Sequence, residues 1–176
     1  MDNEPVILLL YVDDLFMIGN EKQIVECKNN LTKEFKMKYL KSMHYFLGLE
    51  VWQSPEGIFL NQGKYAVEIL KRFDMLECKS MATPLNINLN LLANASSRLM
   101  DMILYGQIIG SVMYLTNTMP YICFVVNTLS QYLVEPMPVH LVAAKHVMRY
   151  LKVTVDYGLS FIEDHDFRLY GYADLG

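Results

Sequence analysis

Asp13 and Asp14 stand side by side at the centre of "LLLYVDDLFMIGN" (Leu8 to Asn20), directly after a strongly apolar run. Ionised carboxylates are costly to bury beside apolar residues, so the pair either marks a solvated turn or does chemistry. The chemistry open to adjacent carboxylates is binding of a hard metal. Mg2+ or Mn2+ takes oxygen ligands and keeps some of its water, which leaves positions for phosphate oxygens. Phosphoryl transfer uses two such ions, about 3.5–4 Å apart, to stabilise the attacking and leaving oxygens together. Two aspartates begin such a site without completing it, and at least one further carboxylate from another strand is expected.

The elements that must present this pair follow from the local pattern. Val6 to Tyr11 and Leu15 to Ile18 are apolar runs flanking Val12, Asp13 and Asp14, and Gly19-Asn20 closes the unit, which predicts a β-hairpin with carboxylates at its tip. Ile24, Cys27, Leu31 and Phe35 recur at helical spacing and predict a helix from Glu21 to Phe35. A second hairpin is predicted in "YFLGLEVWQSPEGIFLNQ", turning at Ser54-Pro55-Glu56-Gly57, with Gly48 inside its first strand. "GKYAVEILKRFDM" reads as a helix with an apolar stripe of Tyr65, Ala66, Ile69, Leu70 and Phe73, and a basic face of Lys64, Lys71 and Arg72. The asparagine-rich "TPLNINLNLLANASS" has no period and is the candidate boundary. Beyond it, helices are predicted over Met102–Thr116, Ile122–Leu133 and His140–Lys152, then two strands around the polar turn Glu163–Asp166.

Composition narrows the class. The 176 residues are 53% hydrophobic and 19% charged, which is globular rather than disordered. A net charge of −4 offers no general attraction for nucleic acid, so any such role rests on local basic clusters. Three scattered cysteines (Cys27, Cys78, Cys123) fit reduced thiols in an intracellular protein better than a disulfide framework. His140 and His146 fall on different faces of one helix, so the histidines read as structural or surface residues. The N-terminus lacks the basic region of a signal peptide, and no segment reaches the roughly 20 apolar residues of a membrane span.

Tyr11-Val12-Asp13-Asp14 between apolar runs resembles the catalytic hairpin of reverse transcriptases. "MHYFLGLEV", "GIFLNQGKYAVEILKRFDMLECKSMATP", "IIGSVMYLTNTMPYI" and "HLVAAKHVMRYLKVTVDYGLSF" then follow in the order of the Ty1/copia-type retrotransposon polyprotein. The chain also resembles short retroelement-derived proteins of plants described as mitochondrial. The resemblance implies an α+β chain: palm end, primer-grip hairpin and thumb helix over 1–84, linker over 85–100, connection helices over 101–165, and the start of a ribonuclease H-like sheet over 166–176. The implied reaction is two-metal addition of deoxynucleotides to a primer 3′ end. Its implied partners are RNA/DNA template-primer, dNTP and the rest of the Pol polyprotein.

Site residues carry over by position. Asp13 resembles the direct Mg2+ (or Mn2+) ligand and Asp14 its supporting carboxylate, with Tyr11 and Val12 beside the primer end. Leu47 and Gly48 resemble the primer grip, where a glycine lets the backbone come close to nucleic acid. A glycine serving strand twist is the alternative for Gly48. Lys64, Lys71 and Arg72 fall on the thumb helix, as phosphate contacts or as a solvated face. One of Lys36, Lys38 and Lys41 stands near the incoming nucleotide. Asp174 in "GYADLG" matches the first or the second metal-binding aspartate of ribonuclease H. Tyr39, Lys41, Met119, Tyr121 and Val153 depart from the family pattern, and the third catalytic carboxylate and nucleotide-binding segments lie outside this sequence. The chain alone is therefore expected to be inactive. The alternatives are a non-catalytic remnant that binds RNA/DNA hybrid or a polyprotein partner, and an unstable relic that aggregates. The resemblance places the parent element in the cytoplasm or nucleus, and the plant relatives suggest the mitochondrion.

Overall fold

A computed structural model describes residues 5–86, 89–91 and 101–162. The chain divides between Ser42 and Met43 into two compact units.

In the first unit, β1 (Ile7–Tyr11) and β2 (Asp14–Ile18) pair antiparallel from Ile7↔Ile18 to Tyr11↔Asp14, which leaves Val12-Asp13 as a two-residue turn. The predicted hairpin is present, with Asp14 opening the second strand. Helix α1 (Glu21–Glu34) starts where Asn20 Oδ1 accepts from the Lys22 N–H at 3.0 Å, a side-chain N-cap. Glu21 in its first turn and Lys33 in its last complement the helix dipole. The strand β1 side chains Ile7, Leu8, Leu9 and Leu10 are all exposed, and α1 buries no residue fully. A continuous apolar strand normally has both faces covered. In this unit neither face of β1 is.

The second unit joins one antiparallel sheet, in the order β3-β4-β5-β6, to a helical core. Strands β3 (Tyr45–Phe46), β4 (Leu49–Ser54) and β5 (Gly57–Asn61) are followed by α2 (Gly63–Arg72). Helices α3 (Met102–Leu115), α4 (Cys123–Ser130) and α5 (Pro138–Leu151) precede β6 (Gly158–Ile162). The periodic residues pack as their spacing requires. Ala66, Ile69 and Leu70 of α2 meet Tyr105, Ile108, Ile109, Val112 and Leu115 of α3, with Val126 and Leu129 of α4 and Ala144, Val147, Met148 and Leu151 of α5 in the same core.

Two predicted elements differ. Gly48 does not lie inside a strand: Leu47 and Gly48 form a two-residue turn joining β3 to β4, with φ of +47° and +75°. Left-handed φ at both turn positions matches the right-handed twist of the flanking strands. The helix expected from Ile122 to Leu133 is shorter, because a 3-10 turn (Pro120–Ile122) precedes α4 and the helix ends at Ser130. Strand β6 pairs with β5 from Gly57↔Ile162 to Asn61↔Gly158, so one sheet joins residues about a hundred positions apart. The bare Cα of Gly158 is required there, since a Cβ would collide with the Leu60 carbonyl. The strand predicted after Glu163 lies outside the described residues.

The described part of the 85–100 stretch docks on the core. Leu85, Leu89 and Leu91 pack against it. His140 is fully buried: its Nδ1 accepts from the Met137 N–H at 2.9 Å, its Nε2 lies 2.9 Å from the Leu91 carbonyl, and Tyr132 stacks on the ring at 3.8 Å. An Nδ1 that accepts leaves the proton on Nε2, which donates to Leu91. His146 Nε2 similarly meets the Thr83 carbonyl at 2.9 Å.

Candidate functional site

The hairpin tip of the first unit carries Tyr11, Val12, Asp13 and Asp14 together. Val12 sits at φ +50°. A β-branched residue in the left-handed region is strained, on the order of 1–2 kcal/mol. Asp13 and Asp14 are both exposed, and neither carboxylate has an ion pair or hydrogen bond among the described residues. Tyr11, opposite Asp14 in the ladder, is 47% exposed. Lys36, Lys38 and Lys41 are exposed farther along the same unit, and Lys28 lies 3.6 Å from the centre of the Tyr39 ring. Tyr39, one of the departures from the family pattern, thus holds a cation over its face.

In the second unit the Leu47-Gly48 turn is held from a distance in sequence. The Tyr114 hydroxyl donates to the Leu47 carbonyl, and the Tyr114 ring meets Tyr65 edge-on at 5.1 Å. A Cβ on Gly48 would lie 3.2 Å from Tyr114 Cε1. Tyr114 is a positioning residue that sequence reasoning missed. Its only sequence signal was its place in the "IIGSVMYLTNT" motif, where it read as a packing residue.

Two residues past the turn, Glu50 ties β4 to the start of α2. Its Oε2 accepts from the Lys64 backbone N–H at 2.9 Å and its Oε1 pairs with Lys64 Nζ at 2.9 Å, while the residue is only 8% exposed. Burial alone would raise the Glu50 carboxyl, but the Lys64 N–H and ammonium outweigh it and hold the carboxyl below its ordinary value. Asn61 supports the same helix start: its Oδ1 accepts from the Gly63 N–H, and its Nδ2 donates to the Val155 and Tyr157 carbonyls at 3.1 and 2.9 Å. Gln62, at the N-cap position, instead accepts from Thr118 Oγ1 at 2.8 Å.

The basic residues of α2 do not form one free cationic face. Lys64 pairs with Glu50, and Arg72 pairs with Glu68 at 2.7 Å; Lys71 has no ion pair among the described residues. Lys64 and Lys71 line one groove of about 810 Å³, together with the exposed Trp52 and the carboxylates Glu50, Glu68 and Asp156. Arg72 lines a separate groove. Among the described residues no group of three or more His, Cys, Asp or Glu side chains is placed to hold a metal. Asp174 lies outside the described residues.

Residues 1–87 match the family described as reverse transcriptase (RNA-dependent DNA polymerase). The chain is 36% identical over 168 residues to an uncharacterised mitochondrial protein of Arabidopsis thaliana, covering 95% of this chain and 70% of that one. It is 35% identical over 170 residues to the retrovirus-related Pol polyprotein from transposon RE2 of Arabidopsis thaliana, covering 96% of this chain and 12% of the polyprotein. The chain belongs to the Ty1/copia-type reverse transcriptases. A putative transposon Ty5-1 protein of Saccharomyces cerevisiae is 33% identical over 173 residues, covering 97% of this chain and 56% of that protein. This reverse transcriptase chain therefore corresponds to about an eighth of the transposon polyproteins it matches. No solved structure matches it. Among the described residues no helix is long and apolar enough to cross a membrane.

Proposed function

We propose that this chain supplies the metal-binding hairpin, the primer-positioning turn and the adjoining helices of a polymerase that extends a primer 3′ end on an RNA or DNA template. The observation that carries the reading is the aspartate pair, exposed and without an ion pair or hydrogen bond among the described residues, at a hairpin tip where Asp13 ends the turn and Asp14 opens β2, inside the residues that match the family. A turn that needed only solvation would not require both carboxylates nor a strained Val12 before them. The donor set fits a hard cation: two carboxylates, no competing amine, and an open hairpin tip.

Asp13 would hold Mg2+ or Mn2+ directly, with Asp14 as the supporting carboxylate. When bound, the metal supplies charge neutralisation at the attacking and leaving oxygens. Tyr11, beside Asp14, offers a ring against which the terminal nucleotide packs. The Leu47-Gly48 turn is the proposed contact with the primer strand, and Tyr114, which holds the Leu47 carbonyl and packs against Gly48, fixes that turn. Template-primer and dNTP are the proposed substrates, and the rest of the Pol polyprotein is the proposed partner. In that context it provides the remaining carboxylate and covers the apolar strand β1. Residues 1–84 act as palm end, primer grip and thumb in this reading, and 101–165 as connection.

The test is primer extension on a homopolymer RNA template with the purified chain, alone and exchanged for the matching segment of the RE2 polyprotein. The exchanged polyprotein is expected to extend the primer, and Asp13→Asn to reduce extension to background, while the chain alone leaves the primer unextended. Extension by the exchanged protein that is indifferent to Asp13→Asn would refute the reading.

A further inference from the structure

Residues 78–83, in the irregular segment that follows α2, run antiparallel along the C-terminal half of α5, and α5 reaches out to them. His146, Arg149 and Lys152 are spaced three apart, so they fall along one side of the helix. Each places a side-chain nitrogen on a backbone carbonyl: His146 Nε2 lies 2.9 Å from Thr83 O, Arg149 Nε 2.6 Å from Lys79 O, and Lys152 Nζ 2.9 Å from Cys78 O. Arg149 also accepts, because its own carbonyl takes the Met81 N–H at 3.2 Å. Arg149 is in the last turn of α5, where a carbonyl has no partner within the helix, so this bond caps α5 from outside. Arg149 thus grips the chain on both sides of Ser80.

The grip is on backbone, and the side chains between its ends bury little. Cys78 and Leu85 pack against the core, but Lys79, Ser80, Ala82 and Thr83 are exposed. Residues 79–86 form no helix or strand. A segment with surface hydrogen bonds and few buried apolar side chains opens at lower free energy than the packed helices beside it. Helix α5 itself buries Ala143, Ala144, Val147, Met148 and Leu151, so it comes away only with the core.

We infer that residues 78–83 are a clasp, buckled by Arg149, that opens as a local unit while the helical core stays folded. Closed, it ties the chain leaving α2 to α5, which lies beyond the residues that match the family. Open, those bonds are gone and the α5 carbonyl loses its outside donor. Arg149 sets the balance between the two states because it holds both sides of Ser80, whereas Lys152 holds one end. The clasp goes beyond the polymerase reading and stands without it.

Trypsin reads the clasp, because the carbonyl of the Lys79-Ser80 bond that it cuts is the one Arg149 holds. Lys145, exposed in the middle of α5, reports the core in the same digest. When opening and closing are fast, each cut tracks the population of its open state. In the full chain, digested across a urea series and followed by mass spectrometry, the cut after Lys79 is expected to be faster than the cut after Lys145. It should also rise less steeply with urea, since local opening exposes less surface. Arg149→Met is expected to accelerate the Lys79 cut roughly tenfold, as loss of a charge-assisted bond requires. Val126→Ala, in the core on α4, makes none of the clasp bonds and is expected to accelerate the Lys145 cut while leaving the Lys79 cut unchanged. Acceleration of both cuts alike by Val126→Ala, or equal rates and urea slopes in the parent, shows that the segment opens only with the core and overturns the clasp. A Lys79 cut unchanged in Arg149→Met overturns the buckle. The slopes of the parent need no variant, so they decide the question even if Arg149→Met does not fold.

Discussion

Removing the Glu50 carboxylate should cost far more than removing the lysine it faces, although the two form one ion pair. Glu50 is 8% exposed and serves two donors, the Lys64 N–H and the Lys64 ammonium, whereas the Lys64 side chain is 73% exposed. Glu50→Ala strips a charge-assisted bond from an N–H in the first turn of α2. Loss of such a helix-start acceptor costs about 1–2 kcal/mol, with about 1 kcal/mol more for the vacated, partly buried site. The pair itself adds less than about 1 kcal/mol, because one partner is in water. Glu50→Ala is therefore expected to lower stability by about 2–3 kcal/mol. Glu50→Gln, which keeps one acceptor oxygen, should cost about 1 kcal/mol, and Lys64→Met, which keeps the backbone N–H, less than that. Urea unfolding followed by circular dichroism measures all three. A carboxyl held below its ordinary value of 4.5 contributes stability that is present above that pH and lost as pH falls through the lower, folded-state value. Glu50→Gln should accordingly flatten the acid limb of the stability profile. Equal costs for Glu50→Ala and Lys64→Met, or an acid limb unchanged in Glu50→Gln, would refute the reasoning.

Two further perturbations follow from the same geometry. Gly48→Ala places a Cβ at φ +75° and 3.2 Å from Tyr114, so it should cost about 1–2 kcal/mol, and Tyr114→Phe, which loses the bond to Leu47, about 1 kcal/mol. Thermal melts of the singles and the double should show less than additive losses, because both act on one turn. Tyr105 is fully buried and donates to the Leu129 carbonyl at 2.7 Å; burial, with Tyr132 nearby, pushes its hydroxyl up to about 12. Stability owed to its neutral form is complete below pH 10 and lost as pH rises toward 12, so Tyr105→Phe should be about 1 kcal/mol less stable at neutral pH and less sensitive to alkali, as read by unfolding at stepped pH.

What the sequence made legible was local. The hairpin at Asp13-Asp14 came from two apolar runs and a break. Helix α1 came from the spacing of Ile24, Cys27, Leu31 and Phe35, and α2 and α5 from equally regular stripes, whereas Asn20, which read only as a turn residue, proved to be the N-cap of α1. What was missed depends on partners far along the chain. "YFLGLEV" reads as one strand because nothing in leucine announces a left-handed φ. The turn at Leu47-Gly48 is secured by Tyr114, 67 residues away. The neutralisation of Lys64 was equally invisible, since Glu50 lies 14 residues earlier on a different element. Pairing of β6 with β5 across about a hundred residues leaves no periodic trace. Within the candidate site, the predicted hairpin is present and brings Asp13 and Asp14 together, exposed, at its tip. The face of α2 does not act as a single cationic patch, because glutamates from β4 and from its own previous turn sit against two of its three basic groups.

In the proposed function Asp13 and Asp14 are metal ligands and not merely a polar turn. Electron paramagnetic resonance of Mn2+ titrated into the full chain tests it most directly, because free Mn2+ gives a sharp signal that is lost on binding. Weak but saturable binding is expected, with a dissociation constant on the order of 1 mM for two carboxylates at an open hairpin tip. This binding is expected to disappear in Asp13→Asn/Asp14→Asn while the melting temperature is retained. Mn2+ binding of equal strength in the double variant, or none in the parent, would contradict it.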